Sequence, residues 1–412
     1  GGLIAIAILL AKSSLSTEDI GAYEMLLYVG YAATFFWTTG LVQGLLSLFP
    51  KLEAAKQAAL LLQGYLVIAS ATAVVILLLG LGADRLLPLL TGQGHLPYLR
   101  LFLLYLLLHQ PTFLLEHYFL LQHRTRAIVW LGFLSTLLQV GLVAVALWGG
   151  YGLQGILTGL VLFAAFRHLW LLVFLVAAGQ PAPRSGMLRR WFLLSLPLMG
   201  YALLGGLHQV YDNWLVGFFY EGDEQQFALF RYGARELPLA LALTSAFGTA
   251  LLPAVAKSLP AGLTAIRQQS RALYHLLFPF SIVLMLTSAW WFPLLFSDAF
   301  APSVLIFNVF LLLVINRLVF PRTVLIGLQD NGVLLWISLG ELIANALLSF
   351  WLVRPLGLAG IALGTVLAYS LGKIAMCWHL YRRHGIGLAR YTDIRLLYGY
   401  SLLLLIAFFI AL

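Results

Sequence analysis

The chain has 412 residues, 62% of them hydrophobic and only 9% charged, against roughly 25% charged in an ordinary soluble domain. With a mean hydropathy of +0.96, this composition excludes a water-soluble enzyme and defines an integral, all-α polytopic membrane protein. The formal net charge is +9, but it is scattered through short loops, which makes it a topology signal and argues against a nucleic-acid partner.

Apolar stretches of about 20 residues, enough to cross a ~30 Å hydrocarbon core as a helix, recur from end to end. Spans are expected at 1–11, 21–49, 59–80, 96–120, 127–149, 151–178, 191–219, 226–256, 272–296, 301–328, 332–352, 356–381 and 395–412. The first of these thirteen is short. Because the chain opens on Gly1-Gly2 and closes on Ala411-Leu412 inside an apolar run, both ends read as clipped, with room for a fourteenth helix. No cleavable signal peptide is visible, and the single Cys377 reads as a packed side chain.

Alternating spans put Lys51, Lys56, Arg124, Arg126, Arg184, Arg189, Arg190, Lys257, Arg267, Arg271, Arg382, Arg383 and Arg390 on one side. The opposite loops hold Lys12, Arg85 and Arg354 beside Glu18, Asp19, Asp84, Glu221, Asp223, Glu224 and Asp298. The basic side is therefore expected to be cytoplasmic. The stretches PKLEAAKQ and KSLPAGLTAIRQQSRALYH read as amphipathic connectors at the membrane surface.

Two glycine patterns, YGLQGILTGL at 151–160 and LGLAGIALGT at 356–365, expose an internal repeat. Gly152, Gly155 and Gly159 map onto Gly357, Gly360 and Gly364 at an offset of 205, which also carries Pro88 onto Pro293, Pro97 onto Pro302 and Phe102 onto Phe307. A step of 203 or 204 relates Gly1-Gly2 to Gly205-Gly206, Asp19 to Asp223, Tyr28 to Tyr232 and Pro50 to Pro253. The reading is two six-helix lobes, 1–180 and 185–385, in the same orientation around a central cavity, with a further helix at 390–412. The glycines read as packing residues, and Gly152 as the residue that frees a tight turn.

The stretch VYDNWLVGFFYEGDEQQFALFRYGARELPLALALTSAFGTALLPAVAKSL (210–259) resembles helices seven and eight of bacterial polysaccharide-biosynthesis flippases of the Wzx type. These belong to the multidrug/oligosaccharidyl-lipid/polysaccharide exporter superfamily. The matching positions are Asp212, Tyr232, Pro253-Ala254 and Lys257. The glycine motifs and the opening SLSTEDIGAYEMLLYV, with Gly21 and Tyr23, are similar to the same family. The resemblance implies a transporter of the bacterial inner membrane. It would move an undecaprenyl-pyrophosphate-linked oligosaccharide to the outer leaflet by alternating access; a coupling proton or sodium ion, a polysaccharide polymerase and glycosyltransferases are the candidate partners. Two alternatives stay open: a multidrug or metabolite antiporter of the related branch, and a membrane scaffold for polysaccharide assembly.

A pyrophosphate head group needs a polar, preferably cationic, path through hydrocarbon. The candidate substrate contacts are Arg231, Arg235 and Arg317. Arg231 and Arg235, four residues apart, would share a helix face and hold phosphate oxygens, or else pair with Asp212 and Glu236 to close the outer half of the cavity. Asp212, Glu236 and Glu24 are the candidate gate or coupling groups. Glu24, Glu116 and Glu341 each read either as a coupling-ion carrier or as a polar group satisfied between helices, His208 as packing or a proton relay, and Arg322, Lys373 and Arg167 as snorkelling to the interface. Tyr23, Tyr28, Tyr211, Tyr232 and Trp214 read as interface aromatics or sugar-stacking platforms. No metal-ligand spacing, phosphate-binding loop or nucleophile elbow is present, so neither an enzyme nor a cofactor is expected.

Overall fold

The computed structural model describes residues 2–49, 52–121, 124–177 and 185–412; Gly1, Pro50, Lys51 and Arg184, used above, lie outside the described residues. The secondary structure within them is entirely helical. The chain divides into two compact units, Gly1–Ala228 and Leu229–Leu412.

The first unit contains α1 (Gly2–Ala11), α2 (Thr17–Leu48), α3 (Ala54–Leu81), α4 (Ala83–Thr91), α5 (Leu99–His109), α6 (Phe113–Leu121), α7 (Thr125–Trp148), α8 (Gly152–Ala177) and α9 (Ser185–Phe219), and ends within α10 (Glu224–Gly233). Ser16 starts α2 by accepting the Asp19 N–H at 3.0 Å, and Glu18 and Asp19 complement the positive end of the helix. Gly40 and Gly44 then let α2 lie against α9. A Cβ at Gly40 would strike the Met199 backbone, and one at Gly44 the Ser195 hydroxyl. Both pairs are four residues apart, so one smooth stripe meets another. Around this seam Trp37, Leu41 and Leu45 pack with Leu60, Leu115 and Trp191, whose indole donates to the Leu41 carbonyl at 3.0 Å.

The fourth long apolar stretch is not one helix. Pro111 lacks the N–H that a continuous helix needs, and Gln110–Thr112 forms a 3₁₀ turn between α5 and α6. Helix α8 supports the break. Arg167 Nη2 donates to the Thr112 carbonyl at 3.4 Å and to Glu116 Oε1 at 2.9 Å, and His168 Nδ1 lies 2.9 Å from the Leu108 carbonyl.

The second unit continues from α10 with α11 (Pro238–Lys257), α12 (Leu259–Leu286), α13 (Ser288–Leu295), α14 (Ser303–Leu311), α15 (Leu313–Arg317), α16 (Pro321–Gly327), α17 (Asn331–Leu356), α18 (Leu358–His384) and α19 (Ile394–Ile410). Shifting the first unit's elements by 205 reproduces much of this order. Helix α3 falls on α12, α4 on α13 with a proline inside each, α7 on α17 and α8 on α18. Gly152 and Gly357 share φ of +58°, and each opens the second helix of an antiparallel pair. The glycines beyond them are contact points, as expected: Gly159 faces the Leu142 backbone, Gly360 the Leu352 carbonyl and Gly364 the Ser349 backbone. Buried Asn345 on α17 locks the second pair by accepting from Ser349 at 3.0 Å and Thr365 at 3.1 Å.

This is a multi-pass membrane protein, but the thirteen expected spans are not thirteen long helices. Among the described residues nine helices are long and apolar enough to cross a membrane, with α12 and α13, bent by 79°, making a tenth if taken as one. The difference has local causes. Helix α1 has 10 residues and α19 has 17, Pro111 interrupts the fourth stretch, and the ninth is bent between α12 and α13.

Candidate functional site

The repeat departs from exact copying at a charged stretch of the second unit. Helix α2 runs unbroken through Ala32. Its counterpart stops at Gly233, leaves Ala234–Leu237 non-helical and restarts at Pro238 as α11. Two features mark the break. A side chain at Gly233 would meet Ile306 and the Ser303 carbonyl of α14 at 2.6–2.7 Å, and proline disfavours helical geometry in the residue before it. Arg231 therefore sits on α10 whereas Arg235 lies beyond its end, so the two do not share a helix face. Arg235 instead turns back, its Nε donating to the Arg231 carbonyl at 3.3 Å and its guanidinium covering the Tyr232 ring at 4.7 Å.

The broken segment brings Glu236 to Arg317. Arg317 Nε meets Glu236 Oε1 at 2.5 Å and Nη2 meets Oε2 at 2.7 Å, a two-pronged pair that matches the planar guanidinium to the carboxylate. Both side chains are about a quarter exposed, so the pair is partly desolvated and still reachable. The Arg317 guanidinium lies 5.5 Å from the Tyr369 ring centre.

Arg317 ends α15, and the next three residues unwind before α16 starts at Pro321. Carbonyls freed at membrane depth need donors. The Leu318 carbonyl takes the Tyr274 hydroxyl at 3.2 Å, and the Val319 carbonyl takes Lys373 Nζ at 3.0 Å. Glu341 of α17 lies within electrostatic reach of Lys373, Arg317 and Arg322. A side chain at Gly372 would run into its carboxylate, so glycine there lets α18 come close. The cluster holds three cations, Arg317, Arg322 and Lys373, against two acids, Glu236 and Glu341. Its first-unit counterparts at the repeat offset are Thr112, His117, His168, Ala32 and Thr136, none of them a carboxylate or a fixed cation.

The remaining expected residues fall elsewhere. Glu24 is buried on α2 and Asp212 on α9, both in the first unit, whereas Arg231, Arg235, Glu236 and Arg317 belong to the second. Buried His208 lies on α9. Lys373 and Arg167 do not snorkel: each hydrogen-bonds the backbone of its unit's broken helix, and Arg167, only 6% exposed, pairs with Glu116. Arg322 is exposed. Tyr23, Tyr28 and Tyr232 are buried in protein. Tyr28 packs on Phe227 and Tyr232 stacks on Phe300 at 4.1 Å, which removes both as open sugar platforms. Trp214 donates to the Leu89 carbonyl at 2.9 Å.

The fold is shared with known transporters. The lipid II flippase MurJ superposes with a TM-score of 0.69 at 14% identity, over 99% of this chain and 89% of that one. A multidrug resistance MATE family transporter of the MOP superfamily gives 0.66 at 15% identity, over 93% and 94%. A MATE transporter from Vibrio cholerae gives 0.52 at 16%, over 94% and 96%. No protein-family model and no curated protein sequence matches the chain.

Proposed function

We propose that this protein is a flippase that carries an undecaprenyl-pyrophosphate-linked oligosaccharide across the bacterial inner membrane by alternating access, for surface polysaccharide synthesis. The observation that carries the reading is the Arg317–Lys373–Arg322 cluster at the unwound joint between α15 and α16, with three cations against two carboxylates. A surplus of positive charge beside a broken helix suits a diphosphate, because guanidinium and ammonium groups replace the water that the head group loses on entering the membrane. That one protein of this fold is a lipid II flippase supports a lipid-linked substrate.

In this account the repeat lobes 1–180 and 185–385 are the alternating bodies and 390–412 is an added helix. Arg317 exchanges Glu236 for substrate phosphate, and Glu236 re-forms the pair after release. Arg231 and Arg235 line the path, and Asp212 and Glu24 serve the gate or the coupling ion. A polymerase and glycosyltransferases would receive and supply the substrate. In this reading the protein acts as a transporter and not as an enzyme.

The MATE likeness favours a second reading, a drug or metabolite antiporter. Cells in which Arg317→Gln is expressed at normal level should lose surface polysaccharide while keeping resistance to cationic drugs. Unchanged polysaccharide with lost resistance supports the antiporter instead.

A further inference from the structure

Outside the charged joint, three metal-type ligands converge in the second unit. Asp330 occupies the short connector between α16 and α17, and His379 and His384 lie in the last two turns of α18. The Nε2 atoms of His379 and His384 are 2.8 Å and 3.0 Å from the same Asp330 oxygen, and the three ligand atoms all lie within 4.8 Å of one another.

Both sides of the cluster are held by backbone. Gln329 adopts φ of +61°, and the Asp330 N–H donates to the Leu325 carbonyl at 3.0 Å, closing the connector tightly enough to aim the carboxylate at α18. On the other side α18 ends in a left-handed cap at Gly385, whose N–H and that of Ile386 bond back to Tyr381 and Leu380 at 3.1 Å and 3.0 Å. That cap fixes the turn carrying His384. The three side chains are 25–28% exposed, so an ion and a completing water can reach them.

We propose that Asp330, His379 and His384 form a binding site for a divalent transition-metal ion of the zinc class. Two imidazole nitrogens and one carboxylate oxygen are the donor set for such an ion, and a water would complete a tetrahedron. A carboxylate can only accept, so in these contacts each Nε2 carries the proton; a metal takes the two Nε2 lone pairs, with bonds of about 2.0–2.2 Å, once each proton has moved to Nδ1 or, from a charged ring, been lost to solvent. Histidines five apart at a helix end, with an acid 49 residues before the first, make no recognisable linear motif. The bound ion would staple the α16–α17 connector to the end of α18.

Untagged full-length protein in detergent, stripped with a chelator, is titrated with zinc by calorimetry, and bound metal is counted after desalting. The site predicts one tight ion per chain, at least tenfold weaker binding in His379→Gln/His384→Gln, and no change in the control His95→Gln. Failure of the wild type to retain zinc, or equal retention by the double variant, overturns it. Should the double variant misfold, cobalt added to His384→Cys in a Cys377→Ser background decides. A thiolate-to-cobalt absorption band, absent from Cys377→Ser alone, supports the site, and its absence overturns it.

Discussion

Lys373 holds the second unit's broken helix at its unwound joint. Near the end of an apolar helix it reads as a snorkelling cation, yet its ammonium donates to the carbonyl that the broken helix leaves at Val319. Lys373→Met should cost about 1–3 kcal/mol, because an unpaired buried carbonyl keeps its full desolvation penalty, and thermal unfolding in detergent measures it. Glu236→Gln should slow transport less than Arg317→Gln. The first leaves Arg317 free to bind phosphate, whereas the second removes it and leaves Glu236 without its partner, and head-group binding to the two variants separates these effects. Asp393 is more peripheral: it caps α19 by accepting the Leu396 N–H at 3.4 Å and pairs with Arg271 at 2.7 Å. Burial pushes its carboxyl up, but the Leu396 N–H and the Arg271 guanidinium outweigh that and hold it below the ordinary carboxylate range. A depressed carboxylate stabilises the fold fully above its unfolded value of about 4 and loses that contribution as pH falls through the folded value. Hydrogen-exchange protection at the start of α19 should therefore be flat from about pH 5 to 8 and fall only in stronger acid.

Among the elements, the paired glycines were legible in the sequence because their spacing is a property of the helix itself. Their positions against Leu142, Leu352 and Ser349 follow from that period. Gly364→Leu should force α17 and α18 apart and cost roughly 1–3 kcal/mol or more by overpacking, visible as lower yield of folded protein on size-exclusion. The breaks were less legible. Pro111 and Pro238 stand in the sequence, but proline inside an apolar run can kink a helix as readily as end one, and Gly233 shows its purpose only against Ile306. That is why Arg231 and Arg235 read as one face when the chain places them on either side of a helix end. The Glu236–Arg317 pair was also hidden: 81 residues separate its partners, and no local period links them.

At the scale of the whole molecule, composition and the 205-residue offset were enough to define an all-helical, duplicated membrane protein, and the fold shared with MurJ and MATE transporters agrees with that. The charged joint emerges from the same duplication read in reverse. At the repeat offset, Thr112, His117 and Thr136 of the first unit correspond to Arg317, Arg322 and Glu341 of the second. We propose that this cluster carries an anionic, lipid-linked head group. The direct test reconstitutes the protein in vesicles holding an undecaprenyl-pyrophosphate oligosaccharide and follows exposure of the sugar to a membrane-impermeant glycosidase. A head-group carrier of this kind exposes the sugar much faster than protein-free vesicles do, and at least tenfold more slowly with Arg317→Gln. Exposure no faster than in protein-free vesicles, or equal rates for the two proteins, would contradict it.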